Sequence, residues 1–192
     1  MSDAPAMDDA SLAERTAMAD LAAHVRGLTA SIGEVDVATA WAAAFADDAP
    51  GPIDVVVALH ACDRATCDAI ALGVDLGVEL IAVAPCCQAE LARGWAALAT
   101  AATSGAFAPV WGSPHLRREL GAHITDVMRV TLLRGRGYAA RAIELTPDEH
   151  TRKNTLILAA RDATIDGAAA RVEHAALVAA TGGYALALAA RL

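Results

Sequence analysis

The chain has 192 residues and a formal net charge of −8, and 56% of its residues are hydrophobic. This length predicts one domain with a sizeable buried core, which excludes a mostly disordered protein. The acidic balance disfavours a protein whose main task is to grip nucleic acid, since such proteins present a strongly basic face. Aromatic residues make up only 4% of the chain, so small aliphatic side chains must fill the core.

No apolar stretch reaches the roughly 20 residues that a membrane-spanning helix needs. The acidic N-terminus does not resemble a secretory signal, which begins with a positive stretch. The chain has four cysteines, of which two are adjacent, and this pattern does not indicate a disulfide framework. Reduced thiols and a cytoplasmic location are therefore expected.

Four segments have the apolar composition of strands, and five others have apolar residues at helical spacing. The predicted strands are residues 53–59, 79–84, 138–145 and 155–160. The predicted helices are residues 11–27, which open with a capping box, 63–73, 91–102, 116–131 and a C-terminal extension from about 166. Residues 31–37 are predicted to form a weak strand or a loop. No linker divides the chain, so a single domain is predicted over residues 1–192.

The segments 53–59 and 79–84 show no alternation of polar and apolar residues, which is typical of strands buried on both faces of a parallel, doubly wound sheet. In such sheets, ligands bind at the carboxyl ends of the strands. Polar and sulfur-bearing residues directly follow both strands, at 60–63 (His-Ala-Cys-Asp) and 85–88 (Pro-Cys-Cys-Gln). The sequence therefore predicts a ligand site where these two strands end.

A resemblance to a known family rests on three segments: 58–63 (Ala-Leu-His-Ala-Cys-Asp), 84–88 (Ala-Pro-Cys-Cys-Gln) and 149–157 (Glu-His-Thr-Arg-Lys-Asn-Thr-Leu-Ile). In this order and spacing, they resemble the later motifs of class I S-adenosylmethionine-dependent methyltransferases. Within this class, the chain looks most like one group of methyltransferase-domain proteins. The members of this group resemble the C-terminal domain of the glutathione S-transferase C-terminal-domain-containing protein. It is more distantly similar to tRNA ribose methyltransferases.

The resemblance implies a Rossmann-like, three-layer αβα fold with the strand order 3-2-1-4-5-7-6. Residues 53–59 and 79–84 would be the fourth and fifth strands, and 138–145 and 155–160 the sixth and the antiparallel seventh. The first strand, its Gly-x-Gly turn and most of the second would be missing, because no glycine precedes Asp8. We therefore expect an N-terminally truncated domain in which residues 53–59 have an exposed edge, through which chains could associate.

The cofactor that the resemblance implies is S-adenosyl-L-methionine. Asp8 would bind the ribose hydroxyls of this cofactor, and Glu34 or Asp36 would lie near its adenine. His60 would contact the cofactor or the substrate. A carboxylate that accepts hydrogen bonds from two hydroxyls is well suited to ribose.

The candidate catalytic residues are Asp63, His60 and Lys153. Ribose methylation can use a Lys and Asp pair to lower the pKa of the acceptor hydroxyl, so Asp63 and Lys153 form a candidate pair. The alternatives are that Asp63 is a helix cap, that His60 is a structural histidine and that Lys153 is a solvated loop residue. Two positions depart from the family pattern, since Cys67 and Arg152 stand where the family usually has Asp and Pro.

Five arginines in and after the predicted helix 116–131 either solvate one face of it or form a basic surface for a phosphate backbone: Arg117, Arg118, Arg129, Arg134 and Arg136. The pair Cys86 and Cys87 is interpreted as two small buried hydrophobic residues. A zinc site that uses them with His60 and Cys62 has no Cys-x-x-Cys spacing in its favour, so no metal is expected.

Two functions from different classes remain open. The first is a methyltransferase that binds a small-molecule cofactor and no membrane, with an unidentified methyl acceptor for which RNA and protein are both candidates. The second is a non-catalytic Rossmann-like binding or scaffold subunit, or an inactive fragment. The presence or absence of a glycine-rich turn ahead of Asp8 separates the two, because that turn cradles the methionine end of the cofactor.

Overall fold

The computed structural model describes residues 29–45, 51–61, 63–145 and 154–192, together with Val25 and Gly27. The chain divides into two compact units, residues 1–50 and 51–192, which are described separately. The predicted helix 11–27 and the candidate residue Asp8 lie outside the described residues. The prediction of a single domain stays a prediction.

In the first unit, residues 32–34 form a turn and helix α1 spans Val37–Ala44. Asp36 caps this helix, because its side chain accepts hydrogen bonds from the backbone N–H groups of Ala38 and Thr39 at 3.0 and 3.3 Å. Residues 31–36 form no strand, so the loop alternative for this segment is correct and the weak strand is wrong. A cap followed by an alanine-rich stretch favours helix over strand here.

In the second unit, four strands form one sheet: β1 (Val55–Leu59), β2 (Leu80–Ala84), β3 (Tyr138–Glu144) and β4 (Thr155–Arg161). Their order in the sheet is β1-β2-β4-β3. Strands β1 and β2 are parallel, and β4 is antiparallel to both β2 and β3. The order and the antiparallel last strand match the 4-5-7-6 portion of the class I sheet.

The sheet is mixed, although the alternation of strands and helices by itself predicted a parallel one. The antiparallel pair β3 and β4 is joined by residues 145–154 alone. A parallel pair needs a crossover connection of about a dozen residues or more, usually a helix. This short connection accounts for the antiparallel pairing of β4 with β3.

The helices of the second unit are α2 (Arg64–Asp75), α3 (Glu90–Thr100), α4 (Ala108–Trp111), α5 (Pro114–Gly135) and α6 (Gly167–Ala180), followed by a 3-10 turn (Ala187–Ala190). Helix α2 lies so close to the sheet at Gly73 that a Cβ there would be 2.8 Å from the side chain of Ile81. Trp95 of α3 and Met128 and Leu133 of α5 are fully buried in the same core. No helix among the described residues is long and apolar enough to cross a membrane.

The two faces of the sheet differ in burial. One face carries fully buried residues on the inner strands, among them Ile81 and Ile157. On the other face, Val55, Val57 and Leu59 of β1 are 45%, 61% and 62% exposed. The prediction that residues 53–59 are buried on both faces is therefore wrong for the described residues. Strand β1 is the edge of the described sheet, so it has a strand neighbour on one side only.

Candidate functional site

The two loops that follow β1 and β2 are joined by backbone hydrogen bonds. The N–H of His60 donates to the carbonyl of Ala84 at 3.2 Å, and the N–H of Asp63 donates to the carbonyl of Cys87 at 2.9 Å. His60 and Asp63 both have left-handed backbone conformations, with φ of 55° and 52°. Such angles are uncommon outside glycine and often occur at functional sites.

The carboxylate of Asp63 connects the first loop to helix α3. Its Oδ1 accepts a hydrogen bond from the N–H of Ala89 at 3.2 Å, and its Oδ2 accepts one from the guanidinium of Arg93 at 2.7 Å. Asp63 stands at the N-cap position of its own helix, α2, but makes no side-chain hydrogen bond to it. The capping alternative is therefore wrong for α2, because the positive φ of Asp63 turns its side chain toward the next loop.

Beneath both loops lies a buried charged side chain, Arg129 of α5, which is fully buried. Its guanidinium donates to the carboxylate of Asp126 at 3.0 Å, to the carbonyl of Asp63 at 3.0 Å and to the sulfur of Cys67 at 3.4 Å. Asp126 in turn accepts a hydrogen bond from the side-chain amide of Gln88 at 2.8 Å. One arginine thus connects α5 with the loop after β1 directly and with the loop after β2 through Asp126.

Burial dominates the electrostatics of this cluster. It raises the pKa of the Asp126 carboxyl, although the neighbouring Arg129 acts to lower it. Burial also raises the pKa of the Cys67 thiol, again against the effect of Arg129. A thiol whose pKa is raised is a poor nucleophile at neutral pH, so Cys67 acts here as a small buried residue.

Sequence reasoning missed the role of Arg129, which it grouped with four other arginines on a solvated or basic surface. Arg129 is instead fully buried. A usable signal was present, because Asp126 and Arg129 are three residues apart, which places opposite charges on one side of a helix. Gln88 was named only as part of the loop after β2, and nothing in the sequence indicated its contact with Asp126.

Beside the loop after β2 is a cavity of about 220 Å³. It is lined by the adjacent pair Cys86 and Cys87, by Gln88, by three alanines, and by Arg118 and Glu119 of α5. Cys86 is half-buried and Cys87 is exposed, so the prediction that both are buried hydrophobic residues is wrong. Their loop lies at the end of β2, where side chains reach the surface.

Two predicted cofactor residues lie in the first unit. The carboxylate of Asp36 accepts hydrogen bonds from two backbone N–H groups of α1 and from the hydroxyl of Thr39 at 2.8 Å. The hydrogen bond from this hydroxyl is the main reason why the pKa of Asp36 is lowered. Glu34 is exposed in the turn before α1. The oxygens of Asp36 are thus engaged by the first turn of α1, which Asp36 caps.

Other predicted residues lie outside the described residues. These are Asp8, Cys62 and, in the loop between β3 and β4, Arg152 and Lys153. Asn154, at the end of that loop, donates a hydrogen bond to Glu144 at 3.1 Å. Within the described part of the chain, no group of three or more His, Cys, Asp or Glu side chains is placed to hold a metal ion.

A four-stranded mixed sheet with helices and a polar cluster at the ends of two parallel strands is consistent with a Rossmann-like methyltransferase fold. A family model described as a methyltransferase domain matches residues 6–94, which include β1, α2, β2 and both loops of the candidate site. This match supports a methyltransferase family and thus a transferase. No curated protein matches the chain, and no solved structure does.

Proposed function

We propose that this chain is an S-adenosylmethionine-dependent methyltransferase domain that acts in the cytoplasm. The observation that carries the proposal is the joined pair of loops after β1 and β2, which lies within the matched residues 6–94. In open α/β sheets, ligands bind beyond the carboxyl ends of the strands, and these two loops form that end of β1 and β2. S-adenosylmethionine supplies the methyl group when it is bound.

In this proposal, the residues divide into two groups by role. Asp8 accepts hydrogen bonds from the ribose hydroxyls of the cofactor, and Glu34 or Asp36 lies near its adenine. His60 contacts the cofactor or the acceptor from the turn after β1. These assignments are supported by the resemblance of the three motifs, by the exposure of Glu34 and by the left-handed turn at His60.

Asp63 and Lys153 are proposed to act on the methyl acceptor. The carboxylate of Asp63 is held by the N–H of Ala89 and by Arg93, so its position is fixed before an acceptor arrives. A fixed carboxylate can orient a hydroxyl or amine and accept its proton. The candidate acceptors are RNA and protein, and the net charge of −8 favours protein, because a phosphate backbone is repelled by an acidic surface.

The second candidate function is a non-catalytic scaffold or binding subunit. Its specific support is the apolar edge strand β1, with Val57 and Leu59 more than half exposed. An exposed apolar edge is a surface on which another strand or chain can pair. In this role, the domain would bind a partner through β1 and would not need a cofactor.

Nuclear magnetic resonance of the 15N-labelled chain separates the two functions, because it detects weak binding. Titration with S-adenosylmethionine is expected to shift the backbone amides of residues 59–63, 84 and 86–89 in a saturable way. ATP serves as the control, since it shares the adenosine part but lacks the methionine part. The absence of saturable shifts with S-adenosylmethionine, or equal shifts with ATP, would contradict the methyltransferase proposal and favour the scaffold.

A further inference from the structure

The two edges of the sheet differ in how their backbone is covered. On the outer strand β3, the carbonyl of Ala140 accepts a hydrogen bond from Nε of Arg134 on α5 at 3.0 Å. A charged side chain thus covers part of this edge, and charged side chains at an edge oppose further strand pairing. The opposite edge, β1, has no such cover from the residues that the structure describes. Strand β1 is therefore the edge at which another strand can pair.

The hydrogen bonds at the two ends of β1 show which of its backbone groups point to the open edge. At the start of the strand, the N–H of Leu80 donates to the carbonyl of Asp54 at 3.0 Å. At its end, the N–H of His60 donates to the carbonyl of Ala84 at 3.2 Å. In a parallel pair, alternate residues bond the same neighbour, so the even-numbered residues of this segment bond β2. The N–H and C=O groups of the odd-numbered residues point away from β2: Val55, Val57 and Leu59.

The composition of β1 fits a second copy of the same strand. Its five residues, Val-Val-Val-Ala-Leu, are all aliphatic, so none of them is a charge or a proline that would oppose pairing. If two copies run antiparallel around Val57, then Val57 faces Val57 and Val55 faces Leu59, and aliphatic side chains meet aliphatic ones. In this register, the outward residues of the two copies lie opposite each other. Each of them then donates one hydrogen bond and accepts one.

The polar residues that flank β1 favour a second copy over an unrelated strand. Asp54 directly precedes β1 and His60 directly follows it, and both are exposed. In the antiparallel register around Val57, Asp54 of one copy lies opposite His60 of the other at both ends of the strand pair. A carboxylate opposite an imidazole is favourable, whereas two carboxylates opposite each other repel. The ends of β1 are therefore complementary to the ends of an antiparallel copy of itself.

We propose that two copies of this chain associate through antiparallel β1 strands and form one continuous sheet. The contact is isologous, because the same residues of both copies form it around a two-fold axis. The sheet then has eight strands, four from each copy, which is within the usual size of open sheets. The partner copy also adds a residue to each candidate site, since its Asp54 lies beside His60. The association does not depend on the proposed methyl transfer.

Sedimentation equilibrium and 15N nuclear magnetic resonance of the chain, at concentrations from about 0.01 to 1 mM, test the association. One pair of short strands buries less than the roughly 1,200 Å² of a stable interface, so we expect a weak dimer whose population rises with concentration. The amides of residues 55, 57 and 59 should shift with concentration, because their N–H groups gain hydrogen bonds. Those of residues 56 and 58, which already bond β2, should shift less. A monomer at every concentration, or equal shifts of all five amides, would overturn the proposal.

Two variants of Val57 locate the contact. Val57→Lys is expected to weaken the association at least about tenfold, because it places like charges opposite each other at the two-fold axis. Val57→Pro removes the outward N–H and leaves the hydrogen bonds to β2 intact, so it should have a similar effect. Val172→Lys is the control, since Val172 is also apolar and 70% exposed but lies on α6. Undiminished association in both Val57 variants would overturn the assignment to β1.

A charge reversal tests the register and the contribution to the candidate site. Asp54→Lys is expected to weaken the association severalfold, and Asp54→Lys/His60→Asp should restore it, because the opposite charges then face each other again. Glu173→Lys, at an exposed glutamate of α6, is the control and should leave the association unchanged. An Asp54→Lys variant that associates as the parent chain does would overturn the contact with His60. A dimer that does not bind S-adenosylmethionine would contradict only the proposed function.

Discussion

Arg129 and Asp126 lie one helical turn apart on α5 and form an ion pair of 3.0 Å, with side chains only 1% and 6% exposed. The same guanidinium reaches the carbonyl of Asp63, and the same carboxylate holds Gln88. Burial of two charges is costly, and a buried pair is stable only when further hydrogen bonds complete it. Here those hydrogen bonds fix the two loops of the candidate site.

Replacement of Arg129 by methionine is expected to lower the free energy of unfolding by about 3–5 kcal/mol, because it leaves the carboxylate of Asp126 buried without its counter-charge. The measurement is urea unfolding followed by circular dichroism. The double variant Arg129→Met/Asp126→Asn should recover part of the loss, since asparagine is neutral and still accepts from Gln88. Exposed Arg118→Met is the matched control, with an effect within about 0.5 kcal/mol. A loss below 1 kcal/mol in Arg129→Met would contradict the pairing.

Replacement of Asp63 by alanine is expected to lower the rate of methyl transfer. The affinity for the cofactor should change little, because Asp63 is assigned to the methyl acceptor and not to the cofactor. The rate is measured as transfer of radiolabelled methyl groups. Asp68→Ala is the control, since it removes another carboxylate of α2 that lies outside the candidate site and whose partly exposed ion pair with Arg191 contributes at most about 1 kcal/mol. If Asp63→Ala lowers only the melting temperature, Asp63 is a structural link between the loop and α3.

The stability of the protein is expected to fall as the pH drops from about 7 toward 5, in part through His174. Burial lowers the pKa of His174 below its ordinary value of 6.5. The unfolded chain therefore binds more protons than the folded one between the two pKa values, so stability rises with pH across that window. In the folded state, Thr131 donates to the carbonyl of Met128 and so accepts from Nδ1 of His174 at 2.9 Å.

His174→Asn tests this assignment, since it preserves a donor near the position of Nδ1 and removes the titration. Melting temperatures measured in steps between pH 5 and 7 should depend less on pH in the variant than in the parent protein. Identical pH dependence in the two proteins would show that His174 does not contribute.

Substitution of Gly73 by alanine is expected to destabilise the protein by about 1–3 kcal/mol, despite the higher helix propensity of alanine. The new Cβ would lie 2.8 Å from the side chain of the fully buried Ile81, so α2 or the sheet would have to move. Gly112→Ala is the control, because the atom nearest to its Cβ is at an ordinary 3.6 Å. Thermal unfolding of both variants checks the packing of α2, and an unchanged melting temperature in Gly73→Ala would contradict it.

Much of the sheet could be predicted from the sequence. Continuous apolar runs identified β1 and β2 within two residues of their observed bounds, and their parallel pairing is confirmed, with Val57 beside Ala82. The reversal of β4 came from the family resemblance and not from the pattern. The pattern alone predicted that β1 was buried on both faces, and this prediction was wrong. Periodicity reports which residues are apolar and not whether a helix covers them.

The sequence by itself determined that polar residues follow two neighbouring strands. It therefore placed His60, Asp63 and Cys87 together at the carboxyl ends of β1 and β2. Only the tertiary structure decided what surrounds them. Arg129 comes from a helix more than 60 residues further along the chain, and its contact with Asp63 depends on how α5 packs. Local pattern indicates which segments form strands and which face of a helix is apolar, whereas a hydrogen bond between distant segments depends on the packing of the whole domain.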